Sequence, residues 1–169
     1  MDDAVAASTG TTLRLWHKFE ATPERVFAAW TRPDALRLWW CPVGWIPVEV
    51  EVDLRLGGPY RMAMRRRNDA RLVAVHGRFL AIEPARRLVY TWSWDGAFPT
   101  IPESRVTVEF NAVGDGTELV LRQEALAMRF CAQHLSGWLA ALVRVAIVVD
   151  APIPTTQTAG MVPAKCNAA

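Results

Sequence analysis

From Thr11 to Glu20 the chain reads TTLRLWHKFE, which puts Leu13, Leu15, His17 and Phe19 on one side of an extended segment and Arg14, Trp16 and Lys18 on the other. A period of two with one mostly apolar side predicts a β-strand. The period then changes. Thr22-Pro23-Glu24-Arg25 precedes Val26, Phe27 and Trp30 at helical spacing, which predicts a short helix with Thr22 as N-cap and Pro23 in its first turn. Thr31-Arg32-Pro33 ends that helix, and Asp34 opens a second one that holds Leu38 and ends at Trp39-Trp40. Helices this short do not persist alone in water, so they must dock on the edge of a sheet or across its mouth.

Alternation resumes after the loop Cys41-Pro42-Val43-Gly44-Trp45. Val48, Val50, Val52 and Leu54 share one side, and Glu49, Glu51 and Asp53 the other. Leu56-Gly57-Gly58-Pro59 reads as a turn, followed by a strand with Tyr60, Met62 and Met64 on one side. Arg67-Asn68-Asp69 turns the chain into a strand from Leu72 to Ile82, where Gly77 marks a bend, a bulge or a close approach. After Glu83-Pro84 a strand carries Leu88, Tyr90, Trp92 and Trp94 on one side; a loop over 95–103 follows. Val106, Val108 and Phe110, the hairpin turn Gly114-Asp115-Gly116, and Leu119 with Leu121 complete the extended region. From Ala125 to Val149 the pattern is helical, with a stripe of His134, Trp138, Leu142 and Val145 flanked by Leu135, Leu139 and Ala146. Gly137 lowers helix propensity there, and suggests close approach to the sheet or to a ligand.

The order is strand, two short helices, six strands and one long helix. Hairpin-linked strands cannot form a parallel doubly wound sheet, because parallel neighbours need long crossovers. The pattern predicts an α+β domain, a curved antiparallel sheet wrapped around a long C-terminal helix. Residues 1–10 are expected to be a flexible N-terminus, 11–149 the domain, and 150–169, rich in Ala, Pro and Thr, a poorly anchored tail.

The 169 residues, 51% of them hydrophobic, suffice for one core. Eight tryptophans are many for this length. Each indole is large and carries one N–H that needs a partner, so a cluster of them lines an irregular interior or a pocket. A net charge of +2 gives no footprint for nucleic acid, and the one basic run, Arg65-Arg66-Arg67, reads as a solvated hairpin end. Cys41, Cys131 and Cys166 are too few and scattered for a disulfide framework, which suggests a reducing compartment. The start MDDAVAASTG does not read as a secretion signal, and the apolar stretch from Trp138 to Val149, interrupted by Arg144, is too short to span a bilayer. A cytoplasmic protein is expected.

Candidate chemistry is sparse. His17, His76 and His134 form no short ligand motif, although all three could face inward from their elements. No metal and no cofactor is expected. Glu49, Glu51 and Asp53 share a strand side that reads as solvated rather than as a glycosidase pair. Ser136 lacks a nucleophile elbow, and Gly57-Gly58 is not a phosphate loop. Cys131 and His134 can meet on one helix face, where Cys131 reads as a small buried thiol. Cys41 is the more exposed thiol, with no activator assignable.

Taken together, Phe19-Glu20-Ala21, Pro23-Glu24-Arg25-Val26-Phe27-Ala28-Ala29-Trp30, Thr31, Pro33, Leu36 and Trp39-Trp40 form an ordered series. It continues through Asp53-Leu54-Arg55, Gly57-Gly58, Gly77, Glu83-Pro84, Arg87-Leu88-Val89, Val106 to Phe110, Gly116 to Leu119 and Gly137-Trp138. Over residues 12–148 this series resembles the SRPBCC, or START-like, superfamily with its helix-grip fold. It is most similar to the branch related to the activator of heat-shock protein 90 ATPase. One departure is Cys41, where the family commonly has glycine before proline; it reads as an exchange of small residues. The resemblance implies a hydrophobic cavity between sheet and long helix, with Trp39, Trp45, Tyr60, Met62, Met64, His76, Tyr90, Trp92, Trp94, Met128, His134 and Trp138 as candidate ligand-binding residues. It implies no shared catalytic set. The leading expectation is a protein that binds a hydrophobic or aromatic small molecule. A co-chaperone-like interaction domain, with a chaperone as partner, and a cyclase-like pocket enzyme are the alternatives. Edge strands and exposed aromatics are compatible with a homodimer.

Overall fold

The computed structural model describes residues 10–68, 71–96, 101–150 and, for the backbone alone, 165–168. Strand β1 (Thr11–Phe19) leads into helices α1 (Pro23–Thr31) and α2 (Pro33–Trp39). Strands β2 (Trp45–Val52), β3 (Pro59–Arg66), β4 (Leu72–Glu83), β5 (Arg87–Asp95), β6 (Ser104–Val113) and β7 (Gly116–Leu126) then follow one another as antiparallel neighbours. Helix α3 (Met128–Val149) and a four-residue strand β8 (Lys165–Ala168) close the list of elements. The sheet order is β2-β3-β4-β5-β6-β7-β1-β8, so β1 pairs with β7 and breaks the otherwise sequential meander. This is the expected α+β helix-grip fold. The final strand was not expected: part of the segment read as a tail pairs antiparallel with β1. The rest of that segment, and residues 1–9, lie outside the described residues.

The apolar sides of the strands converge on α3. Leu13, Leu15, Val75, Leu88, Val106, Val108, Leu119 and Leu121 are buried on the inner side, and α3 contributes Trp138, Leu142, Val145 and Val149. Helix α3 also lies against β1, α1 and α2. It starts earlier than the apolar stretch read from sequence. Its 22 residues are long and apolar enough to cross a membrane by length and composition alone. The inward stripe, however, is committed to the sheet, as in the core helix of a globular domain. At its C-terminal end the Asp150 carboxylate comes close to the backbone N–H groups of Ala21 and Glu20, at the connection between β1 and α1.

Two local features depart from the alternation of the sequence. On β2, Pro47 faces Met64 while Glu49 faces Ala63, so Val48 is the extra residue of a β-bulge. Val48 is therefore exposed, while Val50 stays buried. Leu54, expected on the same inner side, lies beyond the end of β2 and is also exposed. On β4, a Cβ at Gly77 would stand 2.0 Å from the Thr91 carbonyl oxygen and 2.8 Å from the Tyr60 ring. Gly77 is thus a close-approach glycine. The Tyr60 ring passes over it, and its hydroxyl donates to the Thr91 carbonyl at 2.6 Å.

Candidate functional site

The short helices fill one end of the groove between sheet and α3. Thr22 caps α1 through its carbonyl, which accepts from the Arg25 and Val26 N–H groups, and not through its side chain. Trp30 stacks on Trp138 with ring centroids 6.0 Å apart and leans on Trp39 at 4.8 Å. Its indole N–H donates to the Tyr90 hydroxyl at 3.2 Å. Trp39 is almost wholly buried and donates to the Ala29 carbonyl at 2.8 Å. Trp39, Tyr60, Met62 and Tyr90 therefore belong to a solid aromatic core, where only about 20 Å³ is left open.

The other end of the groove stays open. A cavity of about 330 Å³ lies between β3, β5 and α3, with the α2–β2 connection and Ile101 at its rim. Six of the twelve expected residues line it: Trp45, Met64, Trp92, Trp94, His134 and Trp138. The size lies at the lower end of the range for small-molecule sites. Sequence reasoning missed Trp40, Pro42, Ile101, Gln133, Ser136, Ala141 and Arg144 as lining residues; Gly137, read there as a close approach to the sheet or to a ligand, lines the cavity as well. Gln133 and Ser136 stand one turn or less from His134 and Trp138, so a wider helical stripe could have found them. Ile101 sits in a loop and carried no periodic signal.

Besides the four core residues, two more expected residues, His76 and Met128, do not line the cavity. His76 sits on β4 next to Gly77, on the opposite side of the sheet, where its Nε2 lies 3.2 Å from Asp95. The same carboxylate accepts from Arg61 at 2.6 Å, and Arg61 also reaches Glu49 at 3.4 Å. Met128 is exposed at the start of α3, where its sulfur accepts from the Thr11 hydroxyl. The three histidines do not converge: His17 lies against Phe19 on β1. Cys131 is disulfide-bonded, which corrects the reading of a buried thiol beside His134. The Cys41 thiol is half-buried, and burial pushes its pKa up to about 11, so it is not an activated nucleophile. Among the described residues no group of acids, histidines and cysteines could hold a metal ion.

Behind the cavity wall lies a polar unit that the sequence reading overlooked. Gln123, on the inner side of β7, is fully buried. Its Oε1 accepts from Trp138 Nε1 at 2.8 Å and lies 3.0 Å from His134 Nδ1. Its Nε2 donates to the Ser104 hydroxyl at 2.8 Å. An indole nitrogen can only donate, so the Gln123 oxygen must face Trp138, and His134 must donate from Nδ1. Its Nε2 then carries a lone pair, and His134 lines the cavity. Burial pushes the His134 pKa down to about 4, so the ring is neutral near pH 7. The Trp92 indole N–H, also at this cavity, is buried without a hydrogen-bond partner. The arrangement can accept one hydrogen bond at His134 within walls that are otherwise mostly apolar.

Fold and cavity define a START-like, helix-grip protein. The chain belongs to the family described as activator of Hsp90 ATPase homolog 1-like proteins, whose model matches residues 20–148. A protein from Chromobacterium violaceum has a similar structure at 30% identity and a TM-score of 0.77, over 83% of this chain and 98% of that one. A Rhodobacter sphaeroides protein is 25% identical with a TM-score of 0.74, over 83% and 93% of the two chains. An AHSA1-like protein from Aeromonas hydrophila is also 25% identical, with a TM-score of 0.69 over 82% and 92%. No protein of curated function matches the sequence significantly.

Proposed function

We propose that this protein binds a hydrophobic, aromatic-sized small molecule in the cavity between the sheet and α3. The observation that carries the reading is the 330 Å³ space beside Trp92, Trp94 and Trp138, left open where the same groove is otherwise packed solid. Apolar ligands gain from burial against such walls, and indole faces offer broad contact with aromatic rings. The polar groups at the cavity suit recognition better than turnover near neutral pH. His134 is held as a neutral acceptor, and the nearby Cys41 thiol stays protonated.

The test uses the neutral fluorophore N-phenyl-1-naphthylamine. It should bind the protein saturably at one site, with blue-shifted emission and quenching of tryptophan fluorescence. A Cβ at Gly137 would meet nothing within 4 Å, and Gly137 lines the cavity, so Gly137→Phe should obstruct the site without disturbing the core. Equal binding by this variant, with cooperative unfolding intact, would show that the probe sits elsewhere and that the cavity is not the site.

A cytoplasmic setting stays an expectation of its own, to be checked by cell fractionation. The disulfide at Cys131 pulls against it, because protein disulfides are uncommon in a reducing cytosol.

A further inference from the structure

Among the described residues, the cavity wall carries one formal charge. Arg144 projects from α3 and is half-buried, and its Nε donates to the Trp39 backbone carbonyl at 2.6 Å. That bond fixes the plane of the guanidinium and leaves the terminal amino groups as donors. Among the described residues that line the cavity there is no carboxylate. The surface arginines Arg32, Arg55, Arg61, Arg87, Arg105 and Arg122 each pair with an acid, whereas among the described residues no ion pair is found at Arg144. Cys41 is its near neighbour, but that thiol is neutral and supplies no counter-charge. The Trp39 carbonyl satisfies one N–H of this half-buried guanidinium, but among the described residues no acid balances its charge. An oxyanion from a ligand would balance it with charge-assisted hydrogen bonds.

We propose, building on the binding reading above, that the ligand is an amphipathic organic acid: an apolar body against the tryptophans, and a single anionic group at Arg144. The other end of the cavity fixes its direction. His134 lies ten residues earlier on α3, about 15 Å along the axis. Its Nδ1 proton is held by Gln123, so it offers a lone pair. A lone pair repels an oxyanion and accepts from an O–H or N–H. The acid therefore faces Arg144, and any hydroxyl or amine on the far end of the molecule faces His134.

The experiment compares two probes with one carbon skeleton. N-phenyl-1-naphthylamine is neutral, and 1-anilinonaphthalene-8-sulfonate adds one negative charge. The native protein should bind the sulfonate at least about tenfold more tightly, the effect of one charge-assisted contact worth about 1.4 kcal/mol. Arg144→Gln should erase that preference while keeping affinity for the neutral probe, and Arg144→Lys should retain much of it. Gly137→Phe reports sulfonate bound outside the cavity, and near-ultraviolet circular dichroism reports that each variant keeps its native packing. Equal affinity for the two probes in the native protein overturns the acid assignment and leaves the binding reading intact. Failure of both probes to bind overturns the binding reading instead. Loss of both probes in Arg144→Gln and Arg144→Lys alike would make Arg144 a clamp on the Trp39 carbonyl only, and the proposal would fall.

Discussion

Gln123 Oε1 and Trp138 Nε1 lie 2.8 Å apart, and this one contact settles the protonation of a third residue. Because the indole can only donate, the amide oxygen is fixed in place, and His134 must present Nδ1–H to it. The tautomer at the cavity is thus decided by a strand residue behind it. Replacing Gln123 by Leu would leave two buried donors and the Ser104 hydroxyl without their partner. Gln123→Leu is expected to lower stability by about 2–4 kcal/mol, from roughly 1–3 kcal/mol per orphaned group with partial relaxation. Urea denaturation should show a lower midpoint at an unchanged slope.

His134 also gives the fold a dependence on pH. Its folded pKa of about 4 lies below the ordinary value of 6.5, so the unfolded chain takes up a proton that the folded chain refuses. Stability should therefore be unaffected by this group above pH 6.5 and should fall as the pH drops from 6.5 towards 4. The full loss is on the order of 3 kcal/mol. Asp150 acts in the opposite sense: burial raises its pKa, so its protonation on acidification favours the folded form. The difference between the native protein and His134→Gln, measured by denaturation from pH 7 to 4, isolates the histidine. If the two curves run parallel, His134 is not the buried neutral group described.

Gly137 is a helical glycine with open space where its side chain would be. Of the two roles its sequence context suggested, approach to the sheet or to a ligand, the first does not hold, and Gly137 lines the cavity. Gly137→Ala should raise stability by about 1 kcal/mol through helix propensity alone. Thermal unfolding checks this, and a decrease would mean that the backbone at this position needs a freedom the structure does not reveal.

Gly77 behaves in the contrary way. A methyl there would sit 2.0 Å from the Thr91 carbonyl, a backbone atom that cannot swing aside. Gly77→Ala should cost about 3 kcal/mol or more, through forced displacement of β4 from β5 and of the Tyr60 ring. Tyr60→Phe loses only the hydrogen bond to Thr91, a loss of about 1 kcal/mol. Similar losses in the two variants would contradict the close approach.

The bulge on β2 gives a paired comparison. Val48→Thr should change stability by less than about 0.5 kcal/mol, because Val48 is exposed. Val50→Ala removes buried methyl groups and should cost about 1–3 kcal/mol. Equal losses would place Val48 back on the inner side.

How much of this was legible follows from the range of the forces involved. Alternation in β3, β5 and β6 placed Met62, Met64, Tyr90, Trp92 and Val106 inside, because burial of a strand side repeats with the strand's own period. The same rule misplaced Val48, since a bulge adds one residue and reverses the side of what precedes it. His76, expected inward, stands between Val75 and Gly77, whose inner packing sends it outward. The candidate site was half legible. The aromatic side chains announced an interior, but nothing local tells a tryptophan packed by Trp30 from one that borders empty space.

The sequence by itself determined the class of fold, because element type, order and apolar sides depend on local propensity and on burial, both written in short-range pattern. The family motif series, later matched over residues 20–148, was equally legible. Only the tertiary structure decided where the groove stays open, how Gln123, His134 and Trp138 hold one another, and that Arg144 stands in the wall with no acid among the described residues beside it. Those facts are set by distances between β7, α2 and α3. Such distances depend on how bulky side chains from different elements fill a shared space, and no window along the chain contains them.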